Sequence, residues 1–298
     1  MREFTLQEEV GAQMAAASMR ALFPGHYLKQ FMAAGLRPDA RGFGEARKTA
    51  CTPGVISGAD GSAAVQVGRT AVVAGARLST FSPPATGSAA GRLAVVVDLG
   101  QAASLHNGAR PEDTTVAISE FVRDTLQHSG VVNADDLIIK TGAAAWTVTL
   151  SITCLNHDGN VLDALLLAAV AALLDTKVPA VELSDSGVVS ESSAQATALK
   201  VNALPISVTV ALFERIEGGT PDMVIDPTAE EEKLCQAKIT IVVVLPAATN
   251  WKTVASSAPI MVHKHGGLPI PESCVKKAIQ CARERALGTA GLLQMSSA

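Results

Sequence analysis

The run from Val161 to Leu174 is apolar on every face of a helix, interrupted only by Asp163. A helix with no polar stripe is stable in water only when other elements enclose it on all sides. It is too short, and Asp163 too polar, for a bilayer span of about 20 residues. The segment before it narrows the choice further. Trp146-Thr-Val-Thr-Leu-Ser-Ile-Thr-Cys154 alternates apolar and hydroxyl side chains without a break, the period of a strand with one buried face. The turn formers Asn156-His-Asp-Gly-Asn160 join the two. Strand, tight turn and enclosed helix in succession predict an α+β fold.

The remaining chain supplies partners for that unit. Residues 1–36 read as an N-terminal helical arm with apolar anchors Met14, Met19, Leu22, Tyr27, Phe31 and Met32, broken at Pro24-Gly25, and such an arm packs on a neighbour. Ala63–Val67 and Thr70–Ala76 are strand-like and meet at Gly68-Arg69, a hairpin signal, after a turn at Asp60-Gly61. Phe81–Gly91 is loop-like by composition, and Leu93–Asp98 returns to a strand. Pro111-Glu112-Asp113 opens an amphipathic helix, with Val116, Ile118, Phe121, Val122 and Leu126 as its apolar positions and Gly130 as its stop. Beyond a surface connection at Ser184–Ser193, strands are expected at Ile206–Phe213, Met223–Ile225 and Ile239–Leu245, with turns at Glu217-Gly218-Gly219 and in the acidic stretch Asp226–Lys238. A closing helix begins at Pro271-Glu272 and buries the stripe Val275, Ala278, Ile279 and Ala282. This order suggests two similar halves, about 37–180 and 181–290, followed by a tail at 291–298.

Composition removes several classes of function. Phe, Trp and Tyr make up 3% of the chain while apolar residues reach 48%, so Ala, Val, Leu and Ile must build the core. A formal net charge of −4 argues against autonomous, strongly electrostatic nucleic-acid binding, which needs many cations to displace counterions. Cys51, Cys154, Cys235, Cys274 and Cys281 are odd in number and form no C-x-x-C pair, the pattern of reduced intracellular thiols. The acids Glu3, Glu8 and Glu9 speak against a secretory or transit peptide, and no membrane segment is expected.

Several short motifs then fall in a recognisable order. Arg37-Pro38-Asp39-Ala40-Arg41, Gly44-Glu45-Ala46-Arg47, Asp60-Gly61-Ser62-Ala63 and Val67-Gly68-Arg69-Thr70-Ala71-Val72 precede Asp158-Gly159-Asn160 and Asp226-Pro227-Thr228-Ala229-Glu230-Glu231-Glu232. Together they span nearly all of residues 30–290, and the chain resembles the RNase PH-like family. With Phe31, Ala145-Trp146, Cys154-Leu155 and Val161-Leu162-Asp163-Ala164 added, it is similar to RNase PH-like subunits of the eukaryotic RNA exosome ring. The resemblance implies a ββαβα unit duplicated about a pseudo-twofold axis, the ribosomal protein S5 domain 2-like fold, with helices packed on mixed sheets. It also implies a hexameric ring of RNase PH-like subunits around a channel for single-stranded RNA. S1/KH cap subunits and an associated hydrolytic ribonuclease follow as partners, and nucleus, nucleolus and cytoplasm as the compartments.

Active relatives degrade RNA 3′ ends with inorganic phosphate as nucleophile. They need cationic and hydroxyl groups for the phosphate, and acids for a metal or a leaving-group proton. The resemblance places the phosphate ligands at the start of the buried helix, where this chain has Val161 and Leu162, with Asp163 adding negative charge. Of the acids, Asp226 is kept, Glu232 is longer than its counterpart, and Lys238 stands near the third. Glu can bind Mg²⁺, so the acids by themselves leave catalysis open; otherwise Glu230–Glu232 are a solvated charge run on a loop. The expectation is a ring subunit without catalysis or cofactor, carrying a vestigial acidic site at Asp226 and Glu232 and a lost phosphate site at Val161 and Leu162.

For RNA, Arg69, Arg92 and Arg110 fall where similar proteins line the channel, although each could equally be a surface or interface arginine. His263 and His265 alternate as strand neighbours would, but no third metal ligand is evident, and a loop near RNA or a partner is the expected setting.

Overall fold

The computed structural model describes residues 18–82, 91–100, 111–183, 189–191, 195–215, 219–247 and 259–297. Arg110, the loop residues 83–90, the arm residues 1–17 and most of Ser184–Ser193 lie outside the described residues.

Residues 18–22 are helical, and helix α1 (Pro24–Ala33) begins with Pro24 in its first turn, where a missing N–H costs nothing. The predicted break is therefore the start of a second helix. Leu28 and Met32 form its buried face and pack on Ala211, Phe213 and Val224 of the chain's own second half, so this part of the arm folds inward. Leu22 and Phe23 remain largely exposed.

The first half contains β1 (Thr49–Pro53), β2 (Gly61–Val67), β3 (Thr70–Phe81), β4 (Arg92–Asp98), α2 (Pro111–His128), β5 (Ile138–Lys140), β6 (Ala144–Asn156) and α3 (Val161–Asp175). Its mixed sheet runs β1-β2-β3-β6-β4, with β5 at one end of β6 and β4 parallel to β6. Thr70 pairs with Val67 across the Gly68-Arg69 turn, and Gly68 takes a φ of 59° there, as the hairpin signal predicts. Gly130 follows α2 with a positive φ and stops it.

Short pairs β7 (Lys177–Val178), β8 (Val181–Leu183), β9 (Val189–Glu191) and β10 (Thr197–Ala198) lead into the second half. There β11 (Ala203–Phe213), β12 (Asp222–Ile225), α4 (Ala229–Leu234), β13 (Ala237–Pro246), β14 (Pro259–Gly267) and α5 (Glu272–Ser297) follow. The sheet is antiparallel in the order β12-β11-β13-β14. The order β3-β4-α2-β6-α3 recurs as β11-β12-α4-β13-α5, with β14 added: the duplicated ββαβα succession.

Helix α3 lies between the halves, packed on β2 and β3 on one side and on β11 on the other. Its residues from Ala164 to Leu173 are buried without exception, which is what its lack of a polar face requires. Strand β11 is buried along its whole length, covered by α3 and by α5. Ala278, Ala282, Ala286, Ala290 and Leu293 form the inner stripe of α5. Residues 291–297 thus belong to this helix rather than to a tail, and Leu293 anchors them with no exposed surface. None of the five cysteines is in a disulfide, and burial pushes the Cys154 thiol up to about 11. Among the described residues no helix is long and apolar enough to cross a membrane.

Candidate active site

The acidic stretch after Asp226 is a helix, not a turn. Thr228 is its N-cap: the Thr228 hydroxyl accepts from the Glu231 N–H, and the Glu231 carboxylate accepts from the Thr228 N–H at 2.8 Å. This Thr-x-x-Glu capping box satisfies donors that would otherwise be orphaned at the helix start, and it was readable in the sequence. The glutamates are consequently not a uniformly solvated run. Glu230 faces out and pairs with Arg20, whose Nε donates to it at 3.0 Å. Glu231 is buried and receives Arg37, whose Nε donates to Oε1 at 2.8 Å.

Asp226 lies at the centre of a closed cluster. It is fully buried with a φ of 52°, and its carboxylate accepts from the Arg47 N–H at 2.7 Å, from Arg47 Nη2 at 2.7 Å and from Asn160 Nδ2 at 2.7 Å. Arg41 Nη1 adds a longer contact of 3.4 Å. Burial works to raise the Asp226 pKa, but the Arg47 guanidinium and the Asn160 amide outweigh it and hold the group at about 2. Arg37 donates to the Ile225 and Asp226 carbonyls, and Arg47 to those of Asp158 and Gly159. The arginines of the opening motifs thereby tie the first half to the second. In the sequence they stand out only as part of the family resemblance, because their acidic partners lie far along the chain.

The start of α3 is filled from within the chain. Asn160 caps it in the left-handed conformation, and its N–H donates to Glu232 Oε1 at 2.9 Å. Lys238 Nζ reaches the same oxygen at 3.1 Å. A helix N-terminus attracts anions; here a protein carboxylate holds that position, neutralised by a lysine. Val161 and Leu162 are buried core residues, 7% and 5% exposed. Asp163 turns inward: its carboxylate accepts from the Thr209 N–H at 2.9 Å and from the Thr209 hydroxyl at 3.0 Å. Burial raises its pKa, while hydrogen bonds from Asn160 and Thr209 oppose that rise.

Gly159 permits this closeness. With a φ of 81°, its α-carbon approaches the α4 cap so tightly that a β-carbon would stand 2.4 Å from the Ala229 nitrogen. The structure thus brings Asp226, Glu232, Lys238 and the start of α3 together, as the motif order implies. Of the arginines expected at RNA, Arg69 at the β2–β3 hairpin tip lines a groove shared with Arg47, Asp158 and Thr228 beside this cluster, and Arg110 lies outside the described residues. The groove also takes in Tyr27 and Arg20, and Arg92 stacks over Phe81 at 4.7 Å. His263 and His265 lie on strand β14 rather than in a loop, with ring centroids 4.4 Å apart.

The donor set does not fit a divalent metal. Both carboxylates that could hold one are already engaged by Arg47, Asn160 and Lys238, and among the described residues no three His, Cys, Asp or Glu side chains come together for a metal.

The 3′ exoribonuclease family matches this chain in both halves, its domain 1 over residues 45–179 and its domain 2 over residues 203–285. The chain belongs to the 3′ exoribonuclease family. Within that family, the exosome complex component Rrp42 of Methanopyrus kandleri is 32% identical over 88% of this chain and 92% of its own length. Rrp42 of Methanosarcina mazei is 29% identical over 89% and 91%. Among solved structures, an archaeal exosome core covers 91% of this chain and 96% of its own, with a TM-score of 0.73 at 27% identity. The Archaeoglobus fulgidus exosome with RNA bound to the active site gives a TM-score of 0.72 at 28% identity, over 89% of this chain and 95% of that one. Rice Rrp46, at 16% identity and a TM-score of 0.57, shares the fold. The architecture is thus the RNase PH-like two-domain fold of exosome core structures.

Proposed function

We propose that this chain is a non-catalytic RNase PH-like subunit of an RNA exosome ring. It builds the ring with other RNase PH-like subunits and helps position single-stranded RNA for a separate nuclease, in company with cap subunits. One observation carries the absence of catalysis: the helix start that would receive inorganic phosphate is occupied by the Glu232 carboxylate on the Asn160 N–H, beside the alkyl side chains of Val161 and Leu162. An incoming phosphate would meet that charge and find no hydrogen-bond donor on the Val161 and Leu162 side chains. The similarity to archaeal Rrp42 proteins over most of both chains supports the ring assignment. The resemblance carried by Phe31, Arg37-Pro38-Asp39, Ala145-Trp146, Cys154-Leu155, Asp158-Gly159-Asn160-Val161-Leu162-Asp163-Ala164 and Asp226-Pro227-Thr228 supports reading it as component eight of a eukaryotic ring, acting in nucleus, nucleolus and cytoplasm.

The chain, alone and with its ring partner, should release no nucleoside diphosphate from single-stranded RNA supplied with Mg²⁺ and phosphate. Release that disappears in a folded Glu232→Gln variant would overturn the reading and favour a rearranged phosphorolytic site. Ultraviolet crosslinking of the assembled ring, comparing Arg69→Ala and Arg92→Ala with the unaltered chain, tests whether these arginines meet RNA.

A further inference from the structure

An unbroken line of hydrogen bonds crosses the second sheet from α3 to its edge strand. The Thr209 hydroxyl donates to Asp163 Oδ1 at 3.0 Å, the Thr209 and Thr240 hydroxyls meet at 2.9 Å, and Thr240 Oγ1 meets His265 Nε2 at 2.8 Å. Thr209 and Thr240 are 1% and 0% exposed, so water does not compete along the line. None of these three contacts involves Asp226, Asn160 or Glu232.

A hydroxyl has one proton to give. When Asp163 is ionised it accepts from the Thr209 hydroxyl; Thr209 must then accept from Thr240, and Thr240 must accept from His265. Every direction along the line is fixed by the charge at its inner end. We propose that Thr209 and Thr240 form a directional relay through which the ionised Asp163 carboxylate holds His265 as the Nε2–H tautomer. The relay reverses when a hydrogen-bond donor replaces the carboxylate oxygen. In the reversed state Thr209 gives to Thr240, Thr240 gives to His265 Nε2, and the imidazole proton resides on Nδ1. His265 therefore presents a bare Nδ1, an acceptor, in one state and an Nδ1–H donor in the other, on a strand that closes its sheet among the described residues.

The surroundings suit such a device. Asp163 faces Asn160 at the helix cap, Ser207 and Thr209 on β11, the nearby Asp226, and Arg285, Thr289 and Thr49 across a small cavity. His265 faces Thr240 and Lys238 on β13 and His263 on its own strand, and the Phe121 ring of α2 lies tilted against His263 at 5.4 Å. Burial, then Lys238 and His263, depress the His265 pKa to about 3, whereas burial raises that of Asp163 above 3.8. As pH falls Asp163 takes up its proton first, and the relay reverses while His265 is still neutral.

The test is nitrogen-15 NMR of the full chain labelled at histidine, with the His265 signals assigned by a His265→Asn variant. At neutral pH the unaltered chain should show His265 with a protonated Nε2 and a pyridine-like Nδ1. Asp163→Asn should exchange the two signals, because the asparagine carbonyl oxygen is required by the Thr209 N–H and its amide must then donate to the Thr209 hydroxyl. Asp163→Asn combined with Thr240→Val should lose that exchange, since valine has no hydroxyl to transmit it. If Asp163→Asn does not fold, lowering the pH of the unaltered chain should produce the same exchange before His265 becomes charged. An Nδ1–H tautomer at neutral pH, an unchanged tautomer in folded Asp163→Asn, exchange that survives Thr240→Val, or His265 charging without prior exchange would each overturn the relay.

Discussion

Asp226 and Asp163 are both buried carboxylates near the start of α3, yet their pKa values move in opposite directions, because burial wins at Asp163 and the Arg47 guanidinium wins at Asp226. Asp226 has Arg47 against it and sits at about 2, below its ordinary 3.8. A group depressed in the folded state contributes stability that is complete above the unfolded pKa and vanishes as pH falls through the folded one. A shift of that size corresponds to about 2 kcal/mol. Asp163, raised by burial, has the opposite sign: its ionised form costs stability above its raised pKa, and that cost is relieved as pH falls. Urea midpoints should therefore drop between pH 3.8 and about 2, and Asp226→Asn should flatten this slope. Asp226→Ala should lose about 3 to 5 kcal/mol in equilibrium unfolding at neutral pH, because Arg47 would be left with its main counter-charge removed. The importance of Asp226 was visible in its motif. Its partners Arg47 and Asn160 were not, since pairs so distant in sequence leave no local periodicity to read.

At the level of elements, the strands and helices that enclose α3 followed from pattern, and the departures have local causes. The acidic stretch is a helix because Thr228 and Glu231 complete a capping box, a signal that the charge run obscured. Thr228→Ala should destabilise the protein by about 1 kcal/mol in chemical denaturation. The final helix continues to Ser297 because Leu293 extends the inner stripe by one more turn. Leu293→Ala should cost about 2 to 5 kcal/mol, measured the same way, where a tail residue would cost almost nothing. With the start of α3 already filled by Glu232, millimolar inorganic phosphate should leave the thermal midpoint unchanged, since only a ligand that binds the native state raises it.

Among the described residues the two large sheets close over α3, and the halves are joined at a point with little slack. Gly159 meets the backbone of Thr228 and Ala229 there. Gly159→Ala should lower the thermal midpoint more than an exposed loop glycine such as Gly58 changed to alanine, because it adds a backbone collision to a positive φ. By itself the sequence determined that α3 must be enclosed, that strands supply the enclosure, and that the motifs follow the order of an RNase PH-like chain. These are consequences of side-chain periodicity and turn chemistry, which act between near neighbours. The tertiary structure decided where the arm packs, that Arg37 and Arg47 neutralise acids nearly two hundred positions away, and that Glu232 and Lys238 close the helix start. Charge pairing and burial depend on distance in space, and only the closed fold sets those distances.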